Sequence, residues 1–149
     1  MIEAKVVLTQ PKADILSRQF VATTGSGHHL ILDDPWGGTG PKPVELVAVA
    51  LAGCAAFDVI GHLRLKRHQQ VTGYEVRVEA DQAKTDPKVF TAVRLHHIIT
   101  GQEIDPEAVR EAVHLSSTVH GAIEAMLRHI VSVVTTFEIT PEKAIADVA

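Results

Sequence analysis

The chain has 149 residues, which suits one domain, 1–149, with a core that needs no disulfide or metal staple. Of these residues 46% are hydrophobic, 21% charged and 4% aromatic, so the composition is globular and the core must be built from Val, Leu, Ile and Ala. A net charge of −4, with no basic block longer than the short cluster from Arg64 to His68, argues against nucleic acid as a partner.

The N-terminus, MIEAKVVLTQ, carries an acid and alternates, without the basic start and apolar block of a secretory leader. A cytoplasmic location is the resulting default. Residues 2–9 predict a strand, turned between Gln10 and Ala13 with Pro11 as punctuation. Residues 15–23 predict a second strand, in which Ile15 and Phe20 are apolar and Ser17 and Gln19 polar. Gly25-Ser26-Gly27 is a hairpin signal, and residues 28–32 predict a third strand ended by Asp33-Asp34-Pro35.

Residues 43–68 predict one long helix. Between Glu45 and Asp58 no residue is charged, and Ala, Leu and Val dominate. Pro43 fits the first turn, and Arg64, Lys66 and Arg67 suit a C-terminus. A helix apolar almost all round must be buried on several sides. A membrane span needs about 20 apolar residues. Asp58 cuts this run short, with His62 and Arg64 close behind, so a buried core helix and no membrane partner are expected.

Residues 72–82 alternate cleanly, Tyr74, Val76 and Val78 against Glu75, Arg77 and Glu79, and predict a half-exposed strand. A polar loop with Pro87 leads to a strand over 89–100, paired back as a hairpin. Asp105 caps a helix with Pro106 at its first position, running to about Ser117. A short helix over 121–129 and a last β-branched strand over 131–140 follow. Strands and helices mix without strict alternation, so the class is α+β.

Cys54 is the only cysteine, so no intramolecular disulfide can form. Its bland role is a small buried hydrophobe. Reactivity would need a nearby cation or a helix N-terminus. Cys54 lies about three turns into the helix, beyond the reach of the dipole. Asp58, four residues on and on nearly the same face, opposes a thiolate there. Any activation must come from an Arg or His elsewhere.

The adjacent pairs His28-His29 and His96-His97 sit in predicted strands, where neighbours point to opposite faces. No HxxxH, CxxC or HExxH spacing exists, so neither a metal nor a cofactor is expected. Gly37-Gly38-Thr39-Gly40 precedes a helix, but no Gly-Lys-Ser/Thr follows, which leaves a loop with a turn.

The stretch GTGPKPVELVAVALAGCAAFDVIGHLRLKR resembles the central helix of the OsmC/Ohr family, the osmotically inducible and organic-hydroperoxide-resistance proteins. The resemblance runs in order from about Ala4 to Ile139 and includes the Gly25 hairpin, the EVRVEA strand and the DPEAV helix start. It implies an α+β OsmC-like fold, antiparallel sheets wrapped around a long buried helix, in an intertwined homodimer. It further implies a thiol peroxidase, in which the residue matching Cys54 attacks a peroxide and a second cysteine resolves the product. Against that pattern, Ser117 stands where the resolving thiol is expected, and Val44 where the catalytic Glu is expected. Glu45, next to Val44, is the substitute, and Arg18 or His120 the cation. Two readings follow. In the first, Cys54 reduces an organic hydroperoxide and is regenerated by an external thiol. In the second, a diverged relative without that chemistry binds a small apolar or oxidised ligand at the dimer cleft.

Overall fold

Period-two runs of β-branched residues become strands, and the Ala- and Leu-rich run becomes helix. A computed structural model describes residues 1–9, 18–34 and 36–142. The chain divides into two compact units, Met1–Val47 and Ala48–Ala149, with the boundary inside a continuous helix.

The first unit carries an antiparallel sheet of three strands in sequence order: β1 (Ala4–Leu8), β2 (Phe20–Thr24) and β3 (His29–Leu32). The hairpin expected at Gly25-Ser26-Gly27 joins β2 to β3, and Gly27 takes φ 83°, a left-handed conformation that suits glycine. The predicted positions Ile15 and Ser17 lie outside the described residues. Helix α1 (Pro43–Gly61) begins with Pro43 in its first turn. The backbone N–H of Lys42 donates to Glu45 Oε2 at 2.8 Å, half of a capping box.

In the second unit α1 is continued by a five-residue π-helical turn, His62–Lys66. Strands β4 (Val71–Gln82) and β5 (Phe90–Gly101) form the expected antiparallel hairpin. Helix α2 (Pro106–Leu115) follows, extended by a second π-helical turn, Ser116–His120. Then come α3 (Ala122–Leu127) and β6 (Ser132–Pro141). The expectation of purely antiparallel sheets needs one correction: β6 joins β5 in parallel. The chain between them passes through α2 and α3, and so is long enough for the crossover that a parallel pair requires.

The core of this unit has two parts. Val59 and Leu63 pack with Val71, Ile99, Ala108, Val109 and Val113. Leu51 and Ala55 pack with Val93, Leu95 and Val131. Within one chain α1 therefore buries a single row, Leu51, Ala55 and Val59, rather than several sides as its composition implied. Val49 and Phe57 remain 63% and 82% exposed. By length and hydropathy alone, Pro43–Lys66 is apolar enough to cross a membrane, yet its buried row is built into the sheet packing of a folded unit.

Two polar devices fix this unit. Asp105 caps α2 by accepting from the Glu107 N–H at 2.9 Å, and its other oxygen accepts from Arg67 at 3.1 Å. Arg67 also reaches Glu111 at 2.5 Å, which ties the end of the first π-turn to α2. Deeper in, Tyr74 and the fully buried His97 lie diagonally across the β4–β5 ladder, with Tyr74 Oη 2.7 Å from His97 Nδ1 and their rings stacked at 6.0 Å. Burial pulls the His97 pKa down from 6.5 to about 4.

Replacing Asp105 with Ala removes both the cap and a partner of Arg67. We expect a loss of about 1–2 kcal/mol in urea unfolding, at the upper end of the range for caps. His97 supplies a pH dependence of definite sign. Between its ordinary pKa of 6.5 and about 4 the unfolded chain takes up a proton that the folded chain refuses. Stability should therefore fall as the pH drops through this window, by up to about 3 kcal/mol, and be indifferent to this group above it. The His97 ring proton, followed by NMR, should show no titration above pH 5, and His97→Phe should flatten the unfolding profile between pH 6 and 4.

Candidate functional site

Cys54 sits on α1 one residue before the buried Ala55 and three after the buried Leu51. It is therefore at the border of the helix's inward row. It is a free thiol and half-buried, neither sealed in aliphatic packing nor fully open. One turn further along, Asp58 accepts from Ser116 Oγ at 3.4 Å. This contact brings the second π-turn alongside α1, close behind the sulfur in sequence. The Asp58 charge also reaches Tyr74, where it adds to burial in holding the phenol above its ordinary pKa. A half-polar seam thus runs from Ser116 through Asp58 towards Tyr74 and His97, within a core otherwise made of aliphatic side chains.

Ser117, which occupies the place expected for a resolving thiol, is half-buried and donates to Glu124 Oε2 at 3.1 Å. Glu124 is buried on α3, and its other oxygen accepts from Arg128 at 3.1 Å. A buried carboxylate must be paired or hydrogen-bonded, and here Ser117 and Arg128 supply both partners. His120 is exposed at the end of the same π-turn. Within the second unit, no hydrogen bond or ion pair among the described residues joins Cys54 to Ser117 or His120.

The two remaining candidates lie in the first unit. Arg18 is largely exposed and its Nε stands 3.6 Å from Asp34 Oδ2. Glu45 is exposed and forms an ion pair with Lys42 at 3.3 Å. The Lys42 N–H and side chain hold the Glu45 carboxyl below its ordinary pKa. Each candidate is thus paired with a neighbour of its own, and no hydrogen bond or ion pair among the described residues joins Arg18 to Glu45.

Three features were not singled out from the sequence. The first is the Tyr74–His97 pair. The second is the Ser117–Glu124–Arg128 cluster, although the four-residue spacing of Glu124 and Arg128 on a helix was a usable signal. The third is the Asp33–Thr39 turn. Asp33 is buried and accepts from the Thr39 hydroxyl and N–H and from the Asp34 N–H. These bonds, the Thr39 hydroxyl first, hold its carboxyl below the ordinary range. A Cβ at Gly37 would collide with the Asp33 carboxylate, so the glycine lets this turn close. Gly37 to Gly40 is therefore a structured turn, organised from below by Asp33. Among the described residues no cluster of His, Cys, Asp and Glu could hold a metal ion.

Comparison with known proteins bears on what such a helix and thiol belong to. Protein YhfA of Escherichia coli (strain K12) is 33% identical over 120 residues, 80% of this chain and 89% of its own. The OsmC-like protein of Mycoplasma pneumoniae shares the fold at a TM-score of 0.77 and 12% identity, covering 94% of this chain and 97% of that one. An organic hydroperoxide resistance protein OsmC of Legionella pneumophila does so at 0.66 and 20% identity, covering 93% and 96%. The family described as OsmC-like protein matches residues 36–136, from the turn before α1 into β6, and the chain belongs to that family.

Proposed function

We propose that the protein reduces organic hydroperoxides with the thiol of Cys54, and that it works as a homodimer regenerated by an external thiol. The observation that carries this reading is the free, half-buried sulfur of Cys54 on the central helix of an OsmC-like chain. The likeness to an organic hydroperoxide resistance protein supports the substrate class.

The chemistry balances with one sulfur. The Cys54 thiolate attacks the terminal peroxide oxygen, the O–O bond breaks, and the alcohol leaves with a proton while sulfur becomes a sulfenic acid. Ser117 cannot resolve that product, because a hydroxyl forms no disulfide. A first external thiol therefore condenses with the sulfenic acid and releases water. A second displaces the mixed disulfide and restores Cys54. A reducing cytoplasm supplies such thiols and is the compartment this reading requires.

The other candidates have narrower parts. Arg18 and Glu45 are held by Asp34 and Lys42, so recruiting either to a reacting centre requires exchanging an ion pair. His120 is exposed at the end of the second π-turn. The homodimer reading is supported by the large hydrophobic side chains that one chain leaves exposed on α1 and its continuation, Val49, Phe57 and Leu65.

With cumene hydroperoxide and a low-molecular-weight dithiol, the wild-type protein should turn over, and Cys54→Ser should fall to the uncatalysed rate. Equal turnover in the variant would remove the peroxidase reading and leave ligand binding as the alternative. In sedimentation velocity the wild type should run as a dimer. Phe57→Glu, at an exposed position, should shift it towards monomer, and an unchanged dimer would place the interface elsewhere.

A further inference from the structure

The surroundings of Cys54 also bear on which thiol regenerates it. Cys54 and Asp58 are four residues apart in the regular α-helical stretch of α1. Side chains at that spacing are neighbours on one face, about 5–6 Å apart at Cβ. Both residues are half-buried, so carboxylate and sulfur share one edge of the helix's packed row. A reagent bonded to the sulfur therefore lies within roughly one Debye length of that carboxylate at physiological salt.

The Asp58 charge is not offset within the second unit. Ser116, on the second π-turn, donates to Asp58 Oδ2 at 3.4 Å, and a hydroxyl brings a dipole but no charge. Among the described residues no Lys, Arg or His forms an ion pair with Asp58. Charged groups of the neighbouring turns have partners of their own. His62, one turn beyond Asp58, stands 3.6 Å from Glu111, and Glu124 accepts from Arg128 at 3.1 Å. The field of Asp58 is also felt inside the unit. The Tyr74 phenol is held above its ordinary pKa by burial first and by this carboxylate second.

We propose that Asp58 selects the reductant by charge, so that Cys54 is regenerated by a thiol carrying an ammonium group and not by one carrying a carboxylate. The proposal rests on the reading of Cys54 as a peroxide-reducing thiol regenerated from outside, and it names the class of that thiol. In the first step an external thiolate attacks the sulfenic sulfur, the S–O bond breaks, and hydroxide leaves and takes up a proton as water. In the second, another thiolate attacks the outer sulfur of the mixed disulfide, and Cys54 leaves as a thiolate. The two external thiols end as a disulfide, having supplied two electrons. Each incoming thiolate already carries one negative charge. An ammonium on the same molecule cancels it and a carboxylate doubles it, so the carboxylate-bearing thiol meets the greater repulsion from Asp58.

The test has two arms on the full-length protein at pH 8, where imidazole charge drops out of the comparison. In the first, free of peroxide, the reduced protein reacts with cystamine, bis(2-hydroxyethyl) disulfide or 3,3′-dithiodipropionate, and the mixed disulfide on Cys54 is followed by mass spectrometry. Each rate is divided by that of 2-mercaptoethanol with the same disulfide, which removes intrinsic reactivity. We expect cystamine to exceed dithiodipropionate by at least about fivefold, with the neutral disulfide between them. The ratio should approach one in Asp58→Asn and persist in Asp58→Glu. In the wild type it should shrink as salt rises from about 0.01 to 1 M. In the second arm, protein oxidised by one equivalent of cumene hydroperoxide should return to the thiol faster with cysteamine than with 3-mercaptopropionate. A wild-type ratio of one or below, a ratio unchanged in Asp58→Asn, or a ratio insensitive to salt would each overturn the proposal. Failure of peroxide to oxidise Cys54 would remove the reading beneath it, and the peroxide-free arm tells that failure apart from a failure of charge selection.

Discussion

Leu51, Ala55, Val59 and Leu63 recur every four residues, and all are buried. This row carries both parts of the core of the second unit. Its first half meets the middle of the sheet and α3, and its second half meets α2 and the far end of β5. Each fully buried Leu contributes about 1.5–3 kcal/mol relative to exposure. The row thus fixes where α1 lies against the sheet and the helices α2 and α3. A spacing of four overshoots the helical turn by about 40° per step, so the row winds slowly round the helix. It ends inside the π-turn that continues α1, where Leu63 still points inward.

Cys54 owes its position to the same row. Flanked by Leu51 and Ala55, its sulfur stands at the edge of the packed face, where a side chain is neither locked in nor free in solvent. Asp58 is at the same edge one turn on, which explains why a carboxylate is tolerated there. It is met by Ser116 from the second π-turn. The polar seam and the thiol therefore share a boundary between core and uncovered surface. On the reading proposed above, that boundary is where a second copy and a substrate arrive. The first unit solves a different problem, since its sheet is short and its polar groups are gathered into the Asp33–Thr39 turn.

Much of this was legible in the sequence because the signals were local. Alternation in TGYEVRVEADQ, the Asp105-Pro106 start and the Gly25 hairpin each fixed an element to within a residue or two. The family resemblance, carried by the central stretch, was confirmed by the match over 36–136. What escaped was what depends on partners distant in sequence. A period of two shows that β6 is a strand but not which way it runs beside β5. An apolar helix shows that α1 packs against a core but not which of its rows is buried. Tyr74 and His97 meet only because the β4–β5 register sets Val76 opposite His97. Asp34 looked like the end of a strand, and nothing local indicated that one of its oxygens would be buried with no donor among the described residues.

The central claim is that a single half-buried sulfur on α1 meets peroxide. The most direct measurement treats the wild-type protein with one equivalent of cumene hydroperoxide in the presence of dimedone and maps the adduct by mass spectrometry. The account predicts one sulfenic-acid adduct per chain, on Cys54. A thiol that stays unmodified by peroxide and dimedone while still reacting with iodoacetamide would contradict it.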